Sequence, residues 1–114
     1  MEVAATIYYN GQYAAVIQAN VEAALETYMA TLPFNGRIST QAVVDAMQLA
    51  EGVTNVSLSK ILVRRDTVAY GAGTTLFNLA TGTDAVNYDT YAGYVEEETT
   101  ATHTFADTIT YVVI

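Results

Sequence analysis

The sequence predicts an α+β fold in which two antiparallel helices pack on one face of a mostly antiparallel sheet, in the order β-α-α-β-β-β. Two segments in the first half carry apolar residues at helical spacing, and β-prone runs precede and follow them. The chain has 114 residues, of which 52% are hydrophobic. This length and composition fit one folded domain, 1–114, that buries roughly two-thirds of the unfolded chain's surface.

The first predicted element is a strand over residues 3–9, VAATIYY, which are rich in β-prone side chains. Asn10 and Gly11 follow, and two interpretations are open. An Asn-Gly pair between apolar runs is a hairpin signal, which would make 12–17 a second strand. Alternatively, Asn10 caps a helix that begins near Gln12. The apolar spacing beyond this point favours the helix.

The first helix is predicted over 12–31, because apolar side chains recur every three or four residues along it. Pro33 ends it, since proline cannot continue a helix, and Asn35-Gly36 turns the chain. The stripe expected to face the core consists of Ile17, Val21, Ala24, Leu25, Tyr28 and Leu32.

A second helix is predicted to follow the turn and to run to about Glu51. Ser39 or Thr40 provides the N-terminal cap. Gly52 fits the left-handed position that ends many helices. The connection between the two helices is short, which is typical of antiparallel neighbours. The expected buried stripe consists of Val43, Ala46, Met47 and Ala50.

A long strand is predicted from Val53 onward. Alternation places Val56, Leu58 and Leu62 on one face and the serines at 57 and 59 on the other. Lys60 interrupts the apolar face, which predicts that this face is only partly buried.

The C-terminal half is predicted to be mostly loop and strand. Residues 66–87 are rich in Gly, Thr and Ala and predict a long loop with a short strand at 75–79. Residues 88–95 alternate tyrosines with small residues and predict an edge strand. The polar run 96–106 predicts a turn region, and 107–114 predicts a last strand.

The charge distribution excludes several classes of function. The net charge is −8, all four basic residues lie between positions 37 and 65, and seven acidic residues follow Arg65. Nucleic-acid binding needs clustered Lys and Arg, so it is not expected. No cysteine is present, which excludes disulfides and thiolate zinc sites. No run approaches the ~18 apolar residues of a membrane span, and the acidic N-terminal stretch does not read as a signal peptide.

The sequence predicts no catalytic, cofactor-binding or metal site. His103 is the only histidine, in a polar stretch expected to be exposed, and a lone histidine builds neither a zinc site nor a Ser-His-Asp arrangement. Oxygen ligands for a hard cation are conceivable, but without EF-hand spacing a solvated turn is favoured. The carboxylates concerned are Glu96, Glu97, Glu98, Asp84 and Asp89.

The tyrosine-rich strands are the candidate interface. Tyr88, Tyr91 and Tyr94 cluster in one predicted strand, with Tyr111 in the next. Packing in the core and use as an interface both fit tyrosine's mixed character, and the sequence leaves the two open. Val113 belongs to a terminal apolar run that would expose a strand edge able to pair with another strand.

The middle of the chain contains the consecutive segments ALETYMATLPFNGRIS and TQAVVDAMQLAEGVTNVSL. On these segments, over about residues 10–64, the chain resembles the C-terminal domain of baseplate J-like proteins of contractile-tailed phages and prophages. The tail matches loosely, and 66–87 has no counterpart. Matching positions are Ala24, Leu25, Tyr28, Met29, Leu32, Gly36, Ile38, Val43, Met47, Gly52, Val53 and Val56.

This resemblance implies a non-enzymatic structural protein that acts through contacts between subunits during virion assembly. The implied partners are other tail or baseplate subunits or further copies of the chain, in the virion or in the bacterial cytoplasm during assembly. It implies no cofactor and no catalytic residue. An alternative from a different class is a small bacterial accessory domain that binds a ligand or peptide in the cleft between helices and sheet.

Overall fold

The computed structural model describes residues 1–32, 37–64, 69–89 and 96–114. The predicted turn at 33–36 and the side chains of Tyr91 and Tyr94 lie outside these residues. The fold is α+β, as predicted. The elements are β1 (Glu2–Tyr9), α1 (Ile17–Thr31), β2 (Arg37–Ser39), α2 (Thr40–Gln48), β3 (Val53–Val63), β4 (Thr74–Asn78), β5 (Thr83–Asp84), β6 (Asn87–Asp89), α3 (Phe105–Thr108) and β7 (Ile109–Val113).

Five strands form the main sheet, in the order β5-β4-β3-β1-β7. All neighbours are antiparallel except β1 and β7, which run parallel. The prediction of a mostly antiparallel sheet is therefore confirmed. β2 and β6 form a separate two-stranded sheet, in which Ile38 lies opposite Tyr88. The chain between β3 and β7 thus supplies strands to both sheets.

The first helix is shorter than predicted. Residues 11–13 form a single 3-10 turn, whose Gln12 backbone N–H donates to the Asn10 side chain, and α1 begins only at Ile17. The Asn10 backbone N–H donates to the Gly52 carbonyl oxygen at 3.0 Å. This bond joins the start of the segment to the turn before β3. The α1 face that is fully buried consists of Ile17, Val21, Leu25 and Met29.

Helix α2 is capped by Ser39, whose side chain accepts a hydrogen bond from the Ala42 backbone N–H at 3.3 Å. Val43 and Met47 are fully buried, as predicted, and Ala50 packs beside them. The helix ends at Gln48, three residues before the predicted end. Gly52 has the expected positive φ, but it lies in the turn that leads into β3.

Gly52 gives a direct test of this packing. A Cβ there would lie 2.6 Å from Cγ of Tyr13, and φ is +95°. We expect Gly52→Ala to lower the free energy of unfolding by about 3 kcal/mol, because backbone strain and a clash with the ring add together. Gly82→Ala is the matched control: its φ is +72° and nothing lies within 4 Å. Its cost should be about 1 kcal/mol in urea unfolding. Equal losses would contradict the described Tyr13 packing.

A bulge in β3 changes which residues face the core. Lys60 lies opposite Ala4 and Leu58 opposite Ala5, so Ser59 is the extra residue. Beyond it the buried positions become odd-numbered, with Ile61 and Val63 facing the core. The prediction that Leu62 shares a face with Leu58 is therefore wrong. Lys60 does not interrupt the core face, because it lies on the opposite side.

The C-terminal half contains more regular structure than predicted. The short strand expected at 75–79 is confirmed as β4, and β5 pairs back onto it as a hairpin. Of the strand predicted over 88–95, the structure describes β6, which pairs with β2. The polar run ends in α3, a short helix that the sequence did not indicate. The last predicted strand is confirmed as β7.

Candidate functional site

The outer side of β7 carries the candidate site. The Ile114 backbone N–H donates to the Tyr9 carbonyl oxygen at 3.1 Å. Backbone groups alternate sides along a strand, so Thr110, Val112 and Ile114 direct theirs toward β1. Those of Ile109, Tyr111 and Val113 therefore point away from β1. In the described part of the chain, no strand pairs with that side.

The side chains at this edge are uncharged and increasingly apolar. From Thr108 to Ile114 the chain has no charged residue. Val112 is 39% exposed, Val113 54% and Ile114 67%. Ile109 is buried against the core. The edge therefore lacks the charge, proline or bulge with which strand edges are usually protected.

The opposite edge of the sheet is built differently. β5 has two residues, Thr83 and Asp84, and both are exposed. The Asp84 carboxylate accepts hydrogen bonds from the Val86 backbone N–H at 2.9 Å and from the Thr40 hydroxyl at 3.5 Å. A short strand with a carboxylate is a poor template for another strand. Of the two outermost strands, β7 is therefore the better template for another strand.

Of the residues predicted as an interface, the structure describes Tyr88, Tyr111 and Val113. Tyr88 lies in β6 and Tyr111 in β7, the next described strand along the chain, and the two strands belong to different sheets. Tyr111 is half-buried, and burial raises the pKa of its phenol well above the usual range, with Glu22 adding to the effect. Its hydroxyl has no hydrogen-bond partner among the described residues. Val113 is exposed, as an interface residue should be.

A second cluster of polar side chains lies on the sheet face opposite the core. Glu2 has a side chain only 1% exposed, and its carboxylate accepts a hydrogen bond from the Tyr70 hydroxyl at 2.6 Å. His103 Nδ1 lies 3.0 Å from the same carboxylate, and Lys60 Nζ lies 3.9 Å from it. Burial, followed by the bond to Glu2, raises the pKa of Tyr70 to about 12. The expectation that His103 is exposed is therefore wrong.

The protonation pattern of this cluster follows from its donors. The single proton of Tyr70 goes to Glu2, so its oxygen accepts from His103 Nδ1 at 2.8 Å. A proton is thus assigned to His103 Nδ1, and the ring stacks on Tyr70 with centroids 4.2 Å apart. Within the described residues, no three His, Asp or Glu side chains could hold a metal ion. The cluster ties the segment before α3 to β1.

The acidic run 96–98 is not a uniformly solvated turn. Glu96 is exposed, as predicted, but Glu98 is buried and binds Arg64 through two bonds of 2.7 Å. The Arg64 guanidinium holds the pKa of Glu98 down at about 2, although burial opposes this. Glu97 accepts from the Phe105 backbone N–H at 2.8 Å. These carboxylates therefore organise the fold, and the sequence reading of Glu98 as solvated is wrong.

A small open pocket lies beside β3 and β4 rather than between the helices and the sheet. Its polar lining includes Arg64, Glu98 and Tyr70, which already bind groups of the protein itself. Asp89, one of the possible cation ligands, pairs with Arg37 at 2.8 Å. No observation on the described residues therefore favours a ligand site over the β7 edge.

Sequence reasoning identified the apolar end of β7 but not the role of Thr110, Glu2 or Tyr70. A signal for the edge was present, since residues 108–114 form an uncharged β-prone run.

No protein-family model, curated protein or solved structure matches the chain. Among the described helices, none has the length and apolar character needed to cross a membrane.

Proposed function

We propose that this chain is a non-enzymatic assembly domain that joins neighbouring subunits by strand pairing along the outer edge of β7. The observation that carries the proposal is the uncharged edge itself. Its outward residues Tyr111 and Val113 each offer a backbone donor and an acceptor, and Ile109 offers an acceptor, because its N–H already donates to the Phe105 carbonyl oxygen. Strand addition uses such groups for affinity and the neighbouring side chains for specificity.

The setting we propose is the tail or baseplate of a contractile phage or of a prophage-derived particle. The resemblance of residues 10–64 to the C-terminal domain of baseplate J-like proteins supports this setting. In such an assembly, the partners are other tail or baseplate subunits or further copies of the chain. A domain poor in charge, with 14% charged residues, suits a role in which part of its surface is covered.

Amide hydrogen exchange tests whether the edge accepts a strand. In dilute protein, we expect the amides of Tyr111 and Val113 to exchange rapidly, whereas those of Thr110 and Val112 are protected by β1. A capped peptide of alternating valine and threonine, flanked by lysines for solubility, is then added in excess. It should slow exchange at Tyr111 and Val113, because it supplies the missing acceptors.

The β5 edge is the internal control for this experiment. The amides of Thr83 and Asp84 should keep their exchange rates when the peptide is added, because that edge is short and carries a carboxylate. Protection of Tyr111 and Val113 in dilute protein without peptide would contradict the proposal, since the edge would already be covered. No change on adding peptide at saturating concentration would contradict it as well.

A further inference from the structure

We infer that the partner strand is β7 of a second copy of this chain, paired antiparallel about a twofold axis at Tyr111. This inference rests on the proposed function and names the partner of that edge. The resulting dimer would join the two five-stranded sheets into one continuous sheet. Three features of β7 point to a copy of itself rather than to an unlike strand.

The first feature is the symmetry of the outward backbone groups. Ile109, Tyr111 and Val113 are spaced two residues apart, so Tyr111 is the centre of the set. In an antiparallel pair about Tyr111, the two tyrosines lie opposite each other and Ile109 lies opposite Val113 of the second copy. The tyrosine pair then exchanges two backbone hydrogen bonds, and each Val113 N–H donates to the Ile109 carbonyl oxygen of the other copy. The Ile109 N–H takes no part, because it donates to the Phe105 carbonyl oxygen within its own chain.

The second feature is charge. The chain has a net charge of −8, so most contacts between two copies would bring like charges together. β7 has no charged residue, and the nearest one in the sequence, Asp107, lies in α3. A basic partner would be drawn to the acidic remainder of the surface but would find no carboxylate on β7. Charge complementarity therefore favours an uncharged partner.

The third feature is the pair of side chains on the exposed face. Thr110 would lie opposite Val112 of the second copy, and Val112 opposite its Thr110, at positions where side chains approach closely. Both side chains are exposed and β-branched, which suits them to pack across a pleated sheet. No large or charged group has to move to admit the second strand.

Two double variants test this register. In the dimer, Thr110→Lys with Val112→Lys places lysine opposite lysine twice. Thr110→Lys with Val112→Glu places lysine opposite glutamate twice. Molar mass is measured by light scattering over a wide concentration range, and thermal unfolding confirms that both variants fold. We expect the wild type and the Lys/Glu variant to form dimers, and the Lys/Lys variant to associate at least about tenfold more weakly.

The charge balance strengthens the comparison. The Lys/Lys variant adds two positive charges to the net charge of −8, giving −6, whereas the Lys/Glu variant keeps −8. Overall repulsion therefore weakens in the variant that is expected to lose the dimer. Equal association of the two variants would overturn the inference, because the pairing would lie elsewhere or in another register.

A monomeric wild type over the whole range would also overturn the inference. The peptide experiment then separates the two claims. If the strand peptide still protects Tyr111 and Val113, the edge binds an unlike strand and the proposed function stands. If it does not, both the inference and the proposed function fail.

Discussion

Replacing Phe105 with alanine is expected to lower the free energy of unfolding by about 4 kcal/mol, measured by urea unfolding at neutral pH. Phe105 opens α3, and none of its surface is accessible to solvent. It belongs to the single core that β1 and α1 also line. Truncation would leave a cavity beneath the segment that leads into β7, and the core would relax into it only partly.

Phe105→Leu is the control for the Phe105→Ala prediction. It keeps most of the apolar volume and should cost about 1 kcal/mol. The polar composition of 96–106 predicted an exposed turn, where an alanine substitution costs less than about 0.5 kcal/mol. A loss that small for Phe105→Ala would contradict the described core. Because dimers add stability by mass action, all variants are compared at one low concentration.

Glu98→Gln is expected to cost about 3 kcal/mol, because it removes the negative charge that Glu98 presents to the Arg64 guanidinium in a largely buried site. Only 5% of the Glu98 side chain is exposed, and it also accepts bonds from the Thr100 backbone and hydroxyl. Glu96→Gln is the matched control two residues away. Glu96 is exposed, so its substitution should change stability by less than about 0.5 kcal/mol.

The effect of Glu98 should depend on pH in a defined direction. The Arg64 bonds lower the pKa of Glu98 to about 2 from an ordinary value of 4.5. A carboxyl with a depressed pKa stabilises the fold fully above the unfolded value and progressively less as pH falls toward the folded value. The gap between wild type and Glu98→Gln should therefore be constant above about pH 5 and shrink below 4.5. A gap that persists unchanged near pH 2 would contradict the ion-pair explanation.

The helices could be predicted because their signals are local. Val21 and Leu25 recur at helical spacing, as do Val43 and Met47, and all four are fully buried. Ser39 caps α2 through a bond to a residue only three positions away. The sequence did not indicate that α1 begins only at Ile17, and the segment before it is bonded to Gly52, which is distant in sequence.

The polar interior could not be predicted from the sequence, since it depends on residues brought together from opposite ends of the chain. Glu2 and His103 are separated by 101 positions, and Arg64 and Glu98 by 34. A single bulge at Ser59 likewise reverses the face of every later residue in β3. From the polar composition around them, Glu98 and His103 were expected to be exposed.

The β7 edge was only partly predictable. The uncharged run that ends at Ile114 indicates a strand, and its apolar character indicates a surface that another strand could cover. This pattern does not indicate which strand lies beside β7 in the sheet. The sequence offers no sign that Tyr111 lies beside Ile7 rather than beside Tyr88, because strand order is set by the packing of the whole core.

The position of β1 in the sheet has a consequence for the kinetics of folding. β1 pairs on one side with β3 and on the other with β7, whose partner residues Ala5 and Ile109 lie about a hundred positions apart. The chain must lose the entropy of closing this long loop before the contacts between β1 and β7 stabilise the fold. Contacts between residues so distant in sequence slow folding. We therefore expect refolding on the millisecond-to-second timescale, with a late step in which the last strand docks.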